Sequence, residues 1–268
     1  MKKLIIIFAA LAVCCSSCTH DLVILHMNDT HSHVDPERSG DQKGNGGSIE
    51  QAAYIDEVRA EVGKRNVLLV HAGDFSQGTS YFTELKGDIE IDLFNAMGFD
   101  AVAIGNHEFD NGIEELARRV KNLKTPVVCA NYDFTGTALE GLTQPYTIVK
   151  KAGKKIGIIG LLTDVSDVVI ASIAAQLQYN DPVPVINQYA DYLKNEKGCD
   201  MVICLSHLGH WEDCDVAAAV RNVDVIVGGH SHTHLDDLET VKDLDGKDVV
   251  IVQDWHWGLT VGRLDVAF

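Results

Sequence analysis

Val, Ile and Leu gather in short blocks along this chain, each closing on a polar loop that contains glycine, aspartate or histidine. Blocks at 22–28, 67–71, 101–104, 127–130, 156–162, 201–206 and 223–227 have the length and continuous apolar character of strands buried on both faces. Between them, apolar residues recur at helical spacing over 49–64, 89–97, 113–123 and 185–196. This alternation predicts an α/β core. The pattern changes after residue 240, where segments 241–247, 249–252 and 259–268 are separated by Asp-Gly and Trp-Gly pairs. These predict hairpin strands and a second, more antiparallel sheet.

The polar loops hold the chemistry. Asp29 and His31, Asp74, Asn106 with His107 and Asp110, His207, and His230 with His232 all follow directly on apolar blocks. In an open α/β sheet the ligand crevice lies outside the carboxyl ends of the strands, so distant loops can deliver side chains to one place.

A length of 268 residues suits one sizeable domain, and 46% hydrophobic with 23% charged residues excludes a disordered chain. Residues 1–18 have a basic start, an apolar stretch too short to span a bilayer, and the run Cys14-Cys15-Ser16-Ser17-Cys18. They predict an exported protein, lipidated at Cys18 with Cys15 as the alternative, and anchored to a membrane by its lipid, facing the periplasm. Removing residues 1–18 leaves 20 basic against 39 acidic residues, a net charge of −19. That balance argues against a nucleic acid polymer as partner and requires a local positive centre for any small anionic substrate. Bound cations supply such a centre.

Cys129, Cys199, Cys204 and Cys214 lack metal-finger spacing and are expected as small buried hydrophobes, with a Cys204 to Cys214 disulfide left open by an oxidising compartment.

Taken together, Asp29, His31, Asp74, Asn106, His207, His230 and His232 offer two carboxylates, one amide and four imidazoles. Such a mixed oxygen and nitrogen set suits two divalent ions of the Zn, Mn, Fe or Co kind better than Mg or Ca. Asp110 stands three residues beyond His107, where it can orient that imidazole.

These motifs resemble the calcineurin-like metallophosphatases, and in particular the catalytic domain of the bacterial 5′-nucleotidase and UDP-sugar hydrolase family. ND-x-H at 28–31, AGD at 72–74, GNHEFD at 105–110, SH-x-G-H at 206–210 and GGHSH at 228–232 occur in family order over residues 19–268. The resemblance implies a four-layer α-β-β-α sandwich with a dinuclear metal site at the strand ends. It implies that Asp29, His31 and His232 hold one ion, that Asn106, His207 and His230 hold the other, and that Asp74 bridges them. His107 and Asp110 are the implied catalytic dyad, acting while a hydroxide between the metals attacks phosphorus. His107 either stabilises charge on the phosphoryl oxygens or protonates the leaving alkoxide. Relatives of this kind often carry glutamine where His232 stands.

The same resemblance implies a nucleotide or other small phosphoester as substrate. Family nucleotidases usually continue into a domain that grips the base, which has no counterpart here. The chain is therefore expected to work with a separate substrate-domain polypeptide, as a stand-alone phosphatase or cyclic phosphodiesterase of broad range, or as a metal-bearing subunit of low activity. Outside this set, His20, His26 and His71 are expected to be structural, and His33, His210 and His234 to lie around the ligands. The run Asp254-Trp255-His256-Trp257 is expected to line the mouth of the site or to form a buried turn.

Overall fold

The apolar blocks assemble into two sheets that share one interior. The computed structural model describes residues 22–268. Residues 1–21, which include Cys14, Cys15, Cys18 and His20 and the segment expected to direct export, lie outside them. In chain order the strands are β1 (Leu22–Met27), β2 (Val67–His71), β3 (Ala101–Ala103), β4 (Val127–Val128), β5 (Tyr132–Asp133), β6 (Tyr146–Lys151), β7 (Lys154–Leu162), β8 (Gln178–Tyr179), β9 (Met201–His207), β10 (Val225–Val227), β11 (Glu239–Lys242), β12 (Asp248–Val252) and β13 (Gly262–Val266). The α-helices are α1 (Ser48–Val62), α2 (Ser80–Leu85), α3 (Asp88–Met97), α4 (Ile113–Asn122), α5 (Ala171–Ala174), α6 (Pro182–Asp191) and α7 (His210–Ala219). One sheet has the order β13-β1-β2-β3-β4 and the other β11-β12-β10-β9-β7-β6, while β5 and β8 form a small pair. The interior pairings are parallel, and β13, β11 and β6 close the edges antiparallel.

The two-residue period of the strands decides the layering. Leu22, Ile24, Leu68 and Val70 meet Ile156, Ile158, Ile203, Leu205 and Val227 between the sheets. The alternate residues Val23, Leu25 and Met27 pack beneath Ile55 and Val58 of α1 and Ile91 and Phe94 of α3. On the far side, Ile159, Val202, Cys204 and Ile226 pack against Ile186 of α6 and Val216 of α7. The result is the expected α-β-β-α sandwich. Each Leu or Ile buried here contributes about 1.5–3 kcal/mol, so both sheets need apolar residues on both faces.

Two expectations need correction. The last segments build no separate antiparallel sheet: β12 runs parallel to β10, β11 folds back on β12, and β13 pairs antiparallel with β1. Open edges of the two sheets would leave backbone donors and acceptors unpaired, and these strands cover them. The helix expected from 185 begins at Pro182, because the Asp181 side chain accepts from Val183 N–H and proline is pre-set for the first helical position. It passes into a π-helical turn at Tyr192–Glu196. Six further elements, α2, α5, α7, β5, β6 and β8, have no counterpart in the sequence pattern above.

Cys129, Cys199, Cys204 and Cys214 are all free, the first three buried. Cys204 faces the helix layer, whereas Cys214 turns toward Glu239, so the disulfide left open above does not form. Among the described residues no helix is long and apolar enough to cross a membrane.

Candidate dinuclear metal centre

The strand period also delivers the site. In β9 the residues Met201, Ile203 and Leu205 face the space between the sheets, and two residues on His207 emerges on the same face at the carboxyl end. The loops after β1 and β2 zip together beside it: Asp29 N–H donates to Gly73 O at 2.9 Å, His31 N–H to Asp74 O at 3.1 Å, and Ser32 N–H to Phe75 O at 3.0 Å. Asp29, His31, Asp74, His230 and His232 all adopt left-handed backbone, with φ of 49°, 47°, 53°, 72° and 54°. Five such residues at one place cost on the order of 1 kcal/mol each, a strain characteristic of functional sites.

All seven sequence-predicted metal residues converge there. Ligand atoms of Asp29, His31 and His232 lie within 4.8 Å of one another, as do those of Asp74, His207 and His230. Asp29 Oδ1 is 3.4 Å from His232 Nε2 and 3.8 Å from His31 Nε2, and the two imidazole nitrogens are 3.0 Å apart. Asn106 Oδ1 is 2.8 Å from His230 Nδ1. Asp74 stands between the groups, its Oδ2 3.1 Å from His207 Nε2 and 3.9 Å from His31 Nε2. The surroundings leave no room for bulk: a Cβ on Gly105 would meet Asp74 Oδ1 at 2.1 Å.

These groups fit cations. His207 Nδ1 lies 2.8 Å from Ala72 O and donates to it, which aims Nε2 inward, where it is buried without a hydrogen bond. Burial opposes charging both His207 and Asp74. Their mutual attraction nevertheless raises the imidazole pKa and holds the carboxyl below the usual carboxylate range. A divalent ion held between Nε2 and the carboxylate would take the place of that attraction and displace any proton on the imidazole.

His107 and Asp110 belong to neither group. His107 Nδ1 is 2.8 Å from Asp110 Oδ2, its ring centroid is 5.3 Å from that of His31, and its backbone N–H donates to Asp74 Oδ1 at 2.9 Å. The Asp110 hydrogen bond, working against partial burial, pushes His107 up to about 9. A raised histidine is fully charged below its unfolded value and loses that charge as pH climbs through the raised one. Turnover that uses the imidazolium should therefore fall on the alkaline side. The kcat profile of Asp110→Asn should show that fall at lower pH, and an unmoved alkaline limb would separate Asp110 from His107 protonation.

Several residues that sequence reasoning passed over hold this arrangement together. Glu108 is fully buried and accepts N–H groups from Asp74, Gly105 and Ser76 at 2.9, 2.7 and 3.0 Å. It thereby ties the AGD loop to the GNHEFD loop. Burial and the neighbouring Asp74 push its pKa up to about 7. Arg119 supports both loops from below, donating to Glu108 O at 2.6 Å and to Ser76 Oγ. Gln253 shapes the GGHSH loop by donating to Gly229 O and accepting from Ser231 Oγ, both at 2.9 Å. Asn28 joins Asp29 Oδ2 at 2.7 Å to Trp255 O at 2.9 Å. Glu108 and Asn28 sit inside the recognised motifs and could have been assigned from them. Arg119 and Gln253 carry no local signal.

Glu108→Ala would strand three buried N–H donors, and at about 1–3 kcal/mol per unsatisfied group the loss of stability should reach on the order of 3 kcal/mol. Urea unfolding checks this, and a change under about 1 kcal/mol would mean the loops do not depend on Glu108.

Other described histidines lie within the fold or around the ligand groups. His26 Nδ1 lies 2.6 Å from Asp254 Oδ2 inside the fold. His71 is buried among Phe75, Phe94 and Phe99, and burial pushes it down to about 3. Gly73 N–H donates to its Nδ1, so Nε2 carries the proton toward Thr30 Oγ1. His33 stacks on Trp257 and His234 on Trp255. The His256 ring lies 4.9 Å from His232, and Trp257 N–H donates to Asp29 O at 2.7 Å, so the Asp254 to Trp257 run borders the metal residues.

The sequence profile of the calcineurin-like phosphoesterases matches residues 22–234. Snake venom 5′-nucleotidase from Naja atra is 36% identical over 271 residues, which cover 92% of this chain and 50% of the relative. A probable 5′-nucleotidase of Treponema pallidum is 34% identical over 92% of this chain and 45% of its own length. Among solved structures, the 5′-nucleotidase precursor from Thermus thermophilus superposes with a TM-score of 0.84 at 36% identity, covering 92% of this chain and 51% of that one. The chain spans about half the length of these relatives. Family members bind a dinuclear divalent metal site, and the ligand groups found here meet that requirement at the expected place in the fold. On sequence, fold and site alike, the chain belongs to the calcineurin-like phosphoesterases.

Proposed function

We propose that the protein hydrolyses the phosphoester of nucleotides, with two divalent ions, Zn²⁺ or Mn²⁺, held by Asp29, His31 and His232 and by Asn106, His207 and His230, and with Asp74 shared. The observation that carries this reading is the position of the His107–Asp110 pair, in ring contact with the ligand cluster but outside it. Pure metal storage has no use for such a dyad. Two cations supply Lewis-acid polarisation of phosphoryl oxygens and lower the pKa of coordinated water. Asp110 holds His107 by Nδ1, leaving Nε2 to donate to a phosphoryl or leaving-group oxygen. The His107 N–H to Asp74 hydrogen bond fixes the distance between donor and ligand cluster.

The relatives are about twice as long as the stretch they share with this chain, so in this reading a domain outside that stretch grips the nucleoside. A broad-range phosphatase is the second reading, because the mouth formed by His33, Trp257 and His256 is aromatic. The test is hydrolysis of AMP, UDP-glucose, 2′,3′-cyclic AMP and p-nitrophenyl phosphate by purified protein, with chelation and metal add-back. Chelator-sensitive turnover of several of the nucleotide esters indicates a self-sufficient enzyme. Turnover of p-nitrophenyl phosphate alone indicates that specificity is supplied in trans. Hydrolysis indifferent to chelation would overturn the metal-dependent reading.

A further inference from the structure

We propose that His210, Cys214 and Glu239 form a third divalent-cation site, suited to a borderline-soft ion such as Zn²⁺, which fastens edge strand β11 to helix α7. His210 opens α7 and Cys214 lies one turn on, so both side chains share a face of the helix. Glu239 is the first residue of β11, which the β11–β12 hairpin brings alongside that face. Ligand atoms of the three residues lie within 4.8 Å of one another. His210 Nε2 is 3.2 Å from Glu239 Oε2 and 4.0 Å from Cys214 Sγ, and Sγ is 3.9 Å from Glu239 Oε1.

A tetrahedral zinc with bonds of about 2.0–2.1 Å to nitrogen and oxygen and about 2.3 Å to sulfur has ligand separations of about 3.3 Å between N and O and about 3.6 Å to S. The observed separations, 3.2 Å between nitrogen and oxygen and 3.9 and 4.0 Å to sulfur, come near those edges, with Oε2 of Glu239 facing the imidazole and Oε1 facing the thiol. A fourth position remains for water, since Cys214 and Glu239 are partly exposed while His210 is buried.

The donor chemistry favours the ion over a plain hydrogen-bonded trio. A thiol has one weak proton to share, whereas Sγ sits about equally far from the imidazole and the carboxylate. Binding releases that proton, and the resulting thiolate and carboxylate balance a 2+ ion with neutral His210 completing the set. On a chain of net charge −17 the long-range field also draws cations inward. The site bears on the dinuclear centre through one hydrogen bond: His210 N–H donates to Ser231 Oγ at 3.0 Å, and Ser231 lies between His230 and His232.

The dinuclear ligands include no sulfur, which gives this site its own optical signature. Full-length metal-free protein would be loaded with Zn²⁺ for elemental counting and with Co²⁺ for absorption spectroscopy, alongside Cys214→Ala and Glu239→Gln, with circular dichroism to verify folding. We expect a near-ultraviolet thiolate-to-cobalt charge-transfer band in the unaltered protein. The band should vanish in folded Cys214→Ala together with one zinc ion per chain, and weaken in Glu239→Gln. A fully loaded protein without the band, or an equal zinc count in the unaltered and Cys214→Ala chains, would overturn the proposal. Because the readout is not hydrolysis, it stands apart from the reading of the dinuclear centre.

Discussion

Replacing His107 by alanine is expected to lower kcat by about 10²- to 10⁴-fold, the usual contribution of a positioned proton donor, while the content of the dinuclear site is unchanged. Its side chain is absent from both ligand groups, its Nδ1 is committed to Asp110, and its link to the metal residues runs through its own backbone N–H. Alanine keeps that backbone donor. Steady-state hydrolysis with elemental analysis of the same sample decides the matter: a variant that loses metal along with activity would make His107 a ligand instead of a catalytic residue. A fall in KM without a fall in kcat would remove it from the chemistry altogether.

Asp74→Ala should be more damaging still, abolishing turnover and reducing the dinuclear site to at most one bound ion. Asp74 stands between the two ligand groups, 3.1 Å from His207 Nε2 and 3.9 Å from His31 Nε2. No neighbouring carboxylate can replace it, because Glu108 already accepts three backbone donors and Asp29 belongs to the first group. In metal-free protein the same change breaks a buried ion pair, which costs about 3–5 kcal/mol. The sign of its pH dependence follows from the two shifts. Raised His207 stabilises at pH below its unfolded value and loses that contribution as pH rises through its folded value. Lowered Asp74 contributes above its unfolded value and loses this as pH falls. The metal-free unaltered chain should therefore exceed Asp74→Ala in stability most clearly between the ordinary carboxylate and ordinary histidine pKa values, with the margin shrinking as pH rises toward the raised histidine pKa. Urea titrations of both proteins across that range measure the difference, and curves that coincide would show the pair to be uncharged.

Much of the site could be read from the chain because its residues come in short bursts tied to strand ends. Asp29 with His31, Asn106 with His107 and Asp110, and His230 with His232 are local patterns, and strand parity alone puts His207 on the face of Ile203 and Leu205. The supporting residues were less legible in proportion to their distance along the chain. Glu108 stands inside a motif, but its role is to receive N–H groups from residues up to 34 positions away. Gln253 reaches back 24 positions to Gly229, and Arg119 reaches back 43 to Ser76. Neither produces a pattern that a window of neighbouring residues can reveal.

Period and near neighbours along the chain account for the two-sided apolar strands, the alternation with helices, the metal-binding side chains at the strand ends and the dyad beside them. Tertiary structure alone decided where the last three strands pair, because the open edges they cover belong to strands formed much earlier in the chain. It decided likewise that Cys214 meets His210 and Glu239 instead of Cys204. Those are facts about which surfaces meet, and packing of the whole core sets them.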